Sequence, residues 1–161
     1  MKSNYSGINV CCYDPLTNKI IGDEYPQDGL VSDNIELAYK YHIRGEHWGT
    51  IRTDILKEIP FPTIKGHFYN ESYLWFSIAL KYKLVCYNKA LRAYFYEPNS
   101  LVHNKSYKLD KDLTYMWLNF HWWKLTHVGS RIRQYSFIEY LRLYKDILKG
   151  IVKYILARVV K

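Results

Sequence analysis

The sequence predicts an α/β body over residues 1–104, followed by a helical, basic extension over residues 105–161. In the first hundred residues, short apolar runs bounded by turn residues alternate with stretches of helical periodicity. Later residues show helical periodicity throughout. Residues 1–100 carry eleven Lys or Arg against eleven Asp or Glu. Residues 101–161 carry twelve against four, a balance of +8 that equals the net charge of the whole chain.

Composition narrows the class of protein. A chain of 161 residues can bury a core, and a hydrophobic fraction of 48% excludes a disordered chain. Cys11, Cys12 and Cys86 match neither a disulfide framework nor a metal-ligand spacing, so we predict reduced thiols. The sequence shows no signal-peptide pattern and no apolar run of about 18 residues. We therefore expect a cytoplasmic chain, with peripheral attachment to the inner face of the membrane as a further option.

The body begins with a predicted hairpin. An apolar run at 8–13 and a second at 19–22 flank a turn that starts at Asp14. Apolar residues at helical spacing over 32–41 predict a helix that ends near Gly45 and is capped by Ser32 or Asp33. Residues 48–52 are typical of a short strand.

A second helix is predicted around Glu71. Helical turns at 54–59 must end at Pro60, which disfavours helix in the residue before it. Asn70 is a good N-cap, and apolar residues recur at helical spacing from Leu74 to Tyr82, so Glu71 would begin this helix. The runs 84–87 and 91–96 then predict either two strands or one bent strand.

The extension is predicted to be helical, with one helix over 109–125, a break at Gly129 and a long last helix. Ser136 and Glu139 form a capping-box pattern ahead of that helix. An apolar stripe follows, and Arg142, Lys145, Lys149 and Lys153 line other faces; its members are Phe137, Tyr140, Leu141, Tyr144, Leu148, Ile151 and Ile155.

Two environments suit this stripe. It fits an anionic membrane surface, with Trp122 and Trp123 at the headgroups, or it packs on the body while the lysines are solvated. Nucleic acid is ranked last because no recognisable binding module is present.

An ordered series of segments runs through the body: 45–56 with Trp48 and Arg52, then Phe61-Pro62, then 70–75 with Glu71, then 88–94, then 99–101. In this order the segments resemble the acceptor-side half of a family 2 glycosyltransferase of the GT-A type, over roughly residues 8 to 104. The resemblance implies an incomplete GT-A-like mixed sheet with helices. It also implies sugar transfer, with inversion, in cell-surface polysaccharide or glycan synthesis.

Under this resemblance Glu71 is the catalytic base that takes the proton from the acceptor hydroxyl. A carboxylate at a helix start faces the positive end of the helix dipole, which keeps it ionised and able to act as a base. The alternative is that Glu71 only stabilises its own helix terminus, which is the commonest role of carboxylates there.

The resemblance places Trp48 and Arg52 at the substrates, because an indole packs on sugar rings and a guanidinium pairs with phosphate oxygens. As alternatives, Trp48 is a core residue and Arg52 a surface residue with a packed stem. His103 lies where some GT-A enzymes hold a metal or diphosphate ligand; otherwise it is a solvent-facing histidine. Arg92 is interpreted as structural.

The resemblance also predicts what other residues must supply. Such enzymes bind a nucleotide-sugar through Mg²⁺ or Mn²⁺ held by an Asp-x-Asp motif, and nothing upstream of Gly45 provides one. The pattern at 110–112 lies after the acceptor-side segments and is interpreted as a solvated helix start. We therefore expect a fragment, or a chain completed by a partner, that is inactive alone.

The expected partners are a nucleotide-sugar donor and a glycan or lipid-linked acceptor. A sheet without its other strands would have an unpaired edge, which predicts self-association. The alternative function is a non-catalytic module that binds a membrane surface or a partner through the basic tail.

Overall fold

A computed structural model describes residues 4–61, 70–96 and 111–159. These residues form a mixed α/β structure with a mixed five-stranded sheet and six helices. The chain divides into two compact units. Residues 1–61 and 74–96 form the sheet unit, and residues 62–73 and 97–161 form the helical unit. The predicted boundary at residue 104 lies outside the described residues.

The sheet is organised around its first strand. That strand pairs in parallel with β5 along one edge, and β5 pairs antiparallel with β3 on its far side. Along the other edge of β1 lie β4 and β2, both antiparallel. The five strands are β1 (Tyr5–Tyr13), β2 (Ile20–Ile21), β3 (Leu30–Ser32), β4 (His47–Ile51) and β5 (Lys83–Ala93).

The predicted hairpin and strands are confirmed. The Asp14 carboxylate closes the turn between β1 and β2, accepting from the Leu16 amide and the Thr17 hydroxyl, each at 2.8 Å. The run at 48–52 becomes β4. The two possible strands over 84–96 are one strand, β5, whose register against β1 shifts on either side of Cys11.

Three short helices accompany the sheet: α1 (Asn34–Tyr39), α2 (Thr53–Glu58) and α3 (Ser72–Ala79). The cap of α1 is Asp33, whose carboxylate accepts from the Ile35 amide at 2.9 Å and the Glu36 amide at 3.0 Å. Helix α1 ends at Tyr39, well before Gly45, which has a φ of 89°. Helix α3 begins one residue after Glu71.

The apolar residues of the sheet unit form two buried clusters. The first contains Cys11, Tyr25, Leu30, Leu37, Leu84 and Cys86. The second contains Ile55, Leu74 and Ile78. All three cysteines are free and buried, which confirms the prediction of reduced thiols. Burial raises the pKa of the Cys86 thiol to about 12, so this thiol stays protonated at neutral pH.

A polar cluster joins α1 to β5. Asp33 is only 1% exposed, and its Oδ2 lies 2.7 Å from the Lys83 ammonium nitrogen, which also lies 3.0 Å from Glu36 Oε2. The Ser32 hydroxyl donates to the same Glu36 oxygen at 3.0 Å. Although burial favours the protonated acid, the hydrogen bonds from Lys83 and Ser32 hold the pKa of Glu36 below its usual value.

The helical unit contains α4 (Lys111–His127), α5 (Gly129–Tyr135) and α6 (Phe137–Val159). The predicted break at Gly129 is confirmed, although α5 was not predicted separately. Only half of the capping box forms: the Glu139 amide donates to the Ser136 hydroxyl at 3.3 Å, whereas the Glu139 carboxylate pairs with Arg142. Among the described helices, none combines the length and the apolar character needed to cross a bilayer.

Helices α4 and α6 pack closely at Gly150. A Cβ at this position would lie 2.7 Å from the Trp117 ring, so only glycine admits the indole at this distance. Leu143 and Ile147 of α6 are buried. Neither residue belongs to the apolar stripe predicted for this helix, and six of the seven stripe residues are exposed.

Candidate functional site

A hollow of about 400 Å³ lies where β1 and β5 end. Its lining consists of Asp14, Pro15, Leu16, Ile21, Tyr94, Phe95 and Tyr96. Because β1 and β5 are parallel, their carboxyl ends meet at the same edge of the sheet, which is where open α/β sheets bind ligands. The hollow is therefore the candidate substrate site of the sheet unit.

The side chains that line this hollow are aromatic or apolar, apart from the carboxylate of Asp14. The Tyr94 amide donates to the Tyr13 carbonyl at 2.8 Å and so fixes the chain as it leaves β5. Phe95 and Tyr96 are 71% and 68% exposed, and rings of this kind can pack on the apolar face of a sugar. Hydrogen bonds from Leu16 and Thr17 hold the pKa of Asp14 below its usual value, so it is charged at neutral pH.

The sequence prediction missed this hollow, because residues 91–96 were interpreted as strand to the end. The available signal was the presence of three consecutive aromatic residues at the carboxyl end of a strand. An alternating strand hides every second side chain, so three adjacent rings suggest that the chain has left the sheet.

Trp48 lies on β4 opposite Val10 of β1 and is 38% exposed. The turn before β4 depends on two glycines, because a Cβ on Gly45 would lie 2.3 Å from the Cα of Gly22. His47 fastens the start of the strand, with its Nε2 2.8 Å from the Asp23 carbonyl oxygen. The backbone that carries Trp48 is thus held in place, and the indole ring is partly exposed.

Arg52 lies at the other end of β4. Its amide donates to the Ser6 carbonyl at 2.8 Å, its Nη1 donates to the Tyr5 carbonyl at 3.2 Å, and its Nη2 lies 2.5 Å from Asp54 Oδ2. Three residues separate it from Trp48, and the four extended residue steps span a backbone distance of roughly 13 Å. Trp48 therefore lies beside the carboxyl half of β1 and Arg52 beside its amino end.

Glu71 is exposed and lies in the helical unit, between the cap of α3 and its first residue. The Asn70 side chain accepts from the Ser72 amide at 2.9 Å, as a helix cap does. Tyr73 packs on Trp123 of α4 with ring centroids 4.4 Å apart. The Glu71 carboxylate therefore lies at the amino end of a capped helix, next to a segment that packs on α4.

The remaining predicted positions form no site among the residues that the structure describes. His103 and the segment 99–101 lie outside the described residues. Arg92 lies on β5 opposite Cys12, and Asp112 lies in the first turn of α4. Within residues 4–61, 70–96 and 111–159, no three His, Cys, Asp or Glu side chains form a group that could hold a metal ion.

Comparisons of the chain with protein-family models, curated proteins and solved structures found no match. Function must therefore be argued from the residues and their geometry.

Proposed function

We propose that this chain is the acceptor-side part of a GT-A-type glycosyltransferase of family 2. It would transfer a sugar, with inversion, from a nucleotide-sugar to a glycan or lipid-linked acceptor. The observation that carries the proposal is the order of the segments around Glu71. In the described residues these segments correspond to β4, α2, the capped start of α3 and β5.

The proposed reaction gives Glu71 one proton to move. As the acceptor oxygen attacks the anomeric carbon, its hydroxyl proton passes to the Glu71 carboxylate. The bond from that carbon to the nucleoside diphosphate breaks, and the electron pair leaves with the diphosphate. An exposed carboxylate at a helix amino end suits this role, because solvent exposure leaves it open to an acceptor.

The sheet unit would contribute to binding through its aromatic side chains. The hollow at the ends of β1 and β5 and the open indole face of Trp48 both suit sugar rings. Among the described residues, no group of three His, Cys, Asp or Glu side chains could hold Mg²⁺ or Mn²⁺. Under the proposal, the diphosphate and its metal belong to other residues.

Turnover of nucleotide-sugars by the protein that the full reading frame encodes tests the proposal. We expect Glu71→Gln to lower kcat by roughly 100- to 10,000-fold with a small change in KM, because a general base contributes on this scale. The matched control is Glu58→Gln, which removes an exposed carboxylate paired with Lys81 and should leave kcat unchanged. Undiminished turnover by Glu71→Gln would exclude this residue as the base.

The 161 residues alone provide a second test. We expect isothermal titration calorimetry to detect no nucleotide binding by this chain. Saturable binding of a nucleotide-sugar would contradict the idea that other residues hold the donor.

A second candidate is a non-catalytic module that binds a surface through its last helix. The specific observation in its favour is the exposed apolar side of α6. Absence of nucleotide-sugar turnover by the wild-type protein, together with binding through α6, would favour this candidate.

A further inference from the structure

Helix α6 has two apolar faces, of which only one is buried. Leu143 and Ile147 are 2% and 5% exposed, and Gly150 on the same face meets Trp117 of α4. The other face, here called the outer stripe, repeats every three or four residues and is between 40% and 64% exposed. It consists of Phe137, Leu141, Tyr144, Leu148, Ile151 and Ile155. Ile138, Val152 and Leu156 widen it and are also exposed.

A basic row follows one flank of the outer stripe. At 3.6 residues per turn, Lys145, Lys149 and Lys153 lie three residues before Leu148, Val152 and Leu156, and Arg142 continues the same flank. All four side chains are exposed. The acidic residues of α6, Glu139 and Asp146, lie beyond this row, away from the stripe. An occupant of the stripe thus meets apolar side chains and then positive charge.

We propose that the outer stripe of α6 lies flat on an anionic membrane surface. Helix α6 has 23 residues, a length of roughly 34 Å. Lying in the plane of a bilayer, it would place its apolar side chains at the acyl boundary. Its lysines would then reach headgroup phosphates with their amines while their stems stay in apolar surroundings. This inference does not depend on the proposed transfer reaction.

Charge complementarity selects this occupant over a second copy of the chain. If two copies met antiparallel through their outer stripes, the basic row of one would face the basic row of the other. The opposite flank of the stripe leads to the face that packs on α4, and no described acidic residue of α6 lies on that flank. An anionic lipid surface supplies the negative charge that a second copy does not.

Vesicle cosedimentation of the full 161-residue chain tests the proposal. The lipids are phosphatidylcholine alone and phosphatidylcholine mixed with phosphatidylserine. We expect binding to the anionic vesicles only, weakening as added salt shortens the screening length. Absence of binding to the anionic vesicles would overturn the proposal, and so would equal binding to both lipids.

Charge variants locate the contact. The variant with Lys145→Gln, Lys149→Gln and Lys153→Gln should bind anionic vesicles roughly a hundredfold more weakly, since each basic residue at such a surface contributes about a fivefold factor. A control that removes the same charge from the sheet unit, by substituting Gln for Lys19, Lys57 and Lys89, should bind like wild type. Equal weakening in both variants would mean that net charge, and not this helix, drives binding.

Apolar variants test the stripe itself. The double variant Leu141→Gln and Leu148→Gln should lose most of the binding while circular dichroism shows unchanged helix content. The control is Leu80→Gln with Leu91→Gln, two exposed leucines of the sheet unit, which should bind normally. Retained binding in the α6 variant would overturn the proposal.

Sedimentation velocity and DNA binding test the two other possible occupants of this surface, a second copy of the chain and nucleic acid. Self-association that the α6 leucine variant abolishes, without lipid binding, would assign the stripe to a second copy. Binding to duplex DNA in place of vesicles, unaffected by the leucine variant, would assign the basic row to nucleic acid. Either outcome would replace the membrane proposal.

Discussion

The sheet unit buries a charged side chain together with its partners, whereas the helical unit leaves a row of apolar side chains exposed. In the sheet unit a charged residue, Asp33, is buried and satisfied by two backbone amides and Lys83. In the helical unit a row of apolar side chains remains exposed along α6 while Lys145 and Lys149 lie beside it. The sheet unit thus pairs its buried carboxylate internally, whereas the helical unit presents along α6 a continuous apolar surface that suits a partner.

The contrast follows from the elements that each unit uses. Helix α1 has six residues, too few to be stable alone, so it depends on its Asp33 cap and on β5 through Lys83. Helix α6 has 23 residues and needs only one face, around Ile147, to pack on α4. Its outer stripe is left exposed.

Among the variants that test this contrast, Asp33→Ala should cause the largest loss of stability. It removes the cap of α1 and the buried partner of Lys83, so we expect the free energy of unfolding to fall by about 2 to 4 kcal/mol. Urea denaturation followed by circular dichroism measures it. Because Asn also caps helices, Asp33→Asn should recover part of the loss.

The matched control for Asp33 is Asp54→Ala. Asp54 lies in the first turn of a six-residue helix and also pairs with a basic residue, but its side chain is 55% exposed. An exposed pair of this kind adds little to stability, because solvent screens its charges. Equal losses from Asp33→Ala and Asp54→Ala would show that burial of the cluster does not matter.

Gly150→Ala should have the next largest effect, in the helical unit. Alanine favours helix over glycine by about 1 kcal/mol, but its Cβ would press on the Trp117 ring, and overpacking costs about 1 to 3 kcal/mol. We therefore expect a net loss of stability in thermal unfolding. Gly129→Ala is the control, because its Cβ would meet nothing closer than 3.4 Å. A stabilised Gly150→Ala would mean that α4 and α6 pack more loosely than described.

The smallest effect should be a pH dependence from His121 of α4. Burial, with a smaller contribution from the charge of Lys124, lowers the pKa of His121 in the folded chain. The unfolded state therefore binds the proton more tightly, and stability present above the unfolded pKa is lost as pH falls. Denaturation between about pH 7.5 and 5.5 should show this loss. His121→Gln should flatten it, whereas replacing the exposed His127 with Gln should not; an unchanged slope in His121→Gln would assign the loss to other groups.

The chain order of the elements could be predicted because it depends on neighbouring residues. The turn at Asp14, the cap at Asp33 or Ser32, the stop at Pro60 and the break at Gly129 are local effects of residue type. The choice between Asp33 and Ser32 as the cap required the structure, since both can cap a helix. Lys83, 50 residues away, also bonds to Asp33.

The candidate site was less predictable than the elements. Glu71 follows from a local cap pattern and was found where a helix begins. The hollow beside Tyr94 requires two strands to end together, which depends on the parallel pairing of β1 and β5. Asn88 lies between the predicted runs 84–87 and 91–96, and its side chain pairs with the Tyr25 backbone, at 2.7 and 2.8 Å. No local pattern identifies a partner 63 residues away.

By itself, the sequence determined the types of the elements, the reduced state of the cysteines and the placement of the basic excess, because these depend on residue type and nearby spacing. Only the tertiary structure decided which face of α6 is buried. The two apolar faces of α6 have similar periodicity, so the sequence does not show which of them is buried. The buried face is the one that contains Gly150, against which Trp117 of α4 packs. The burial of Leu143 and Ile147 left the outer stripe exposed, and this exposure is the basis of the membrane proposal.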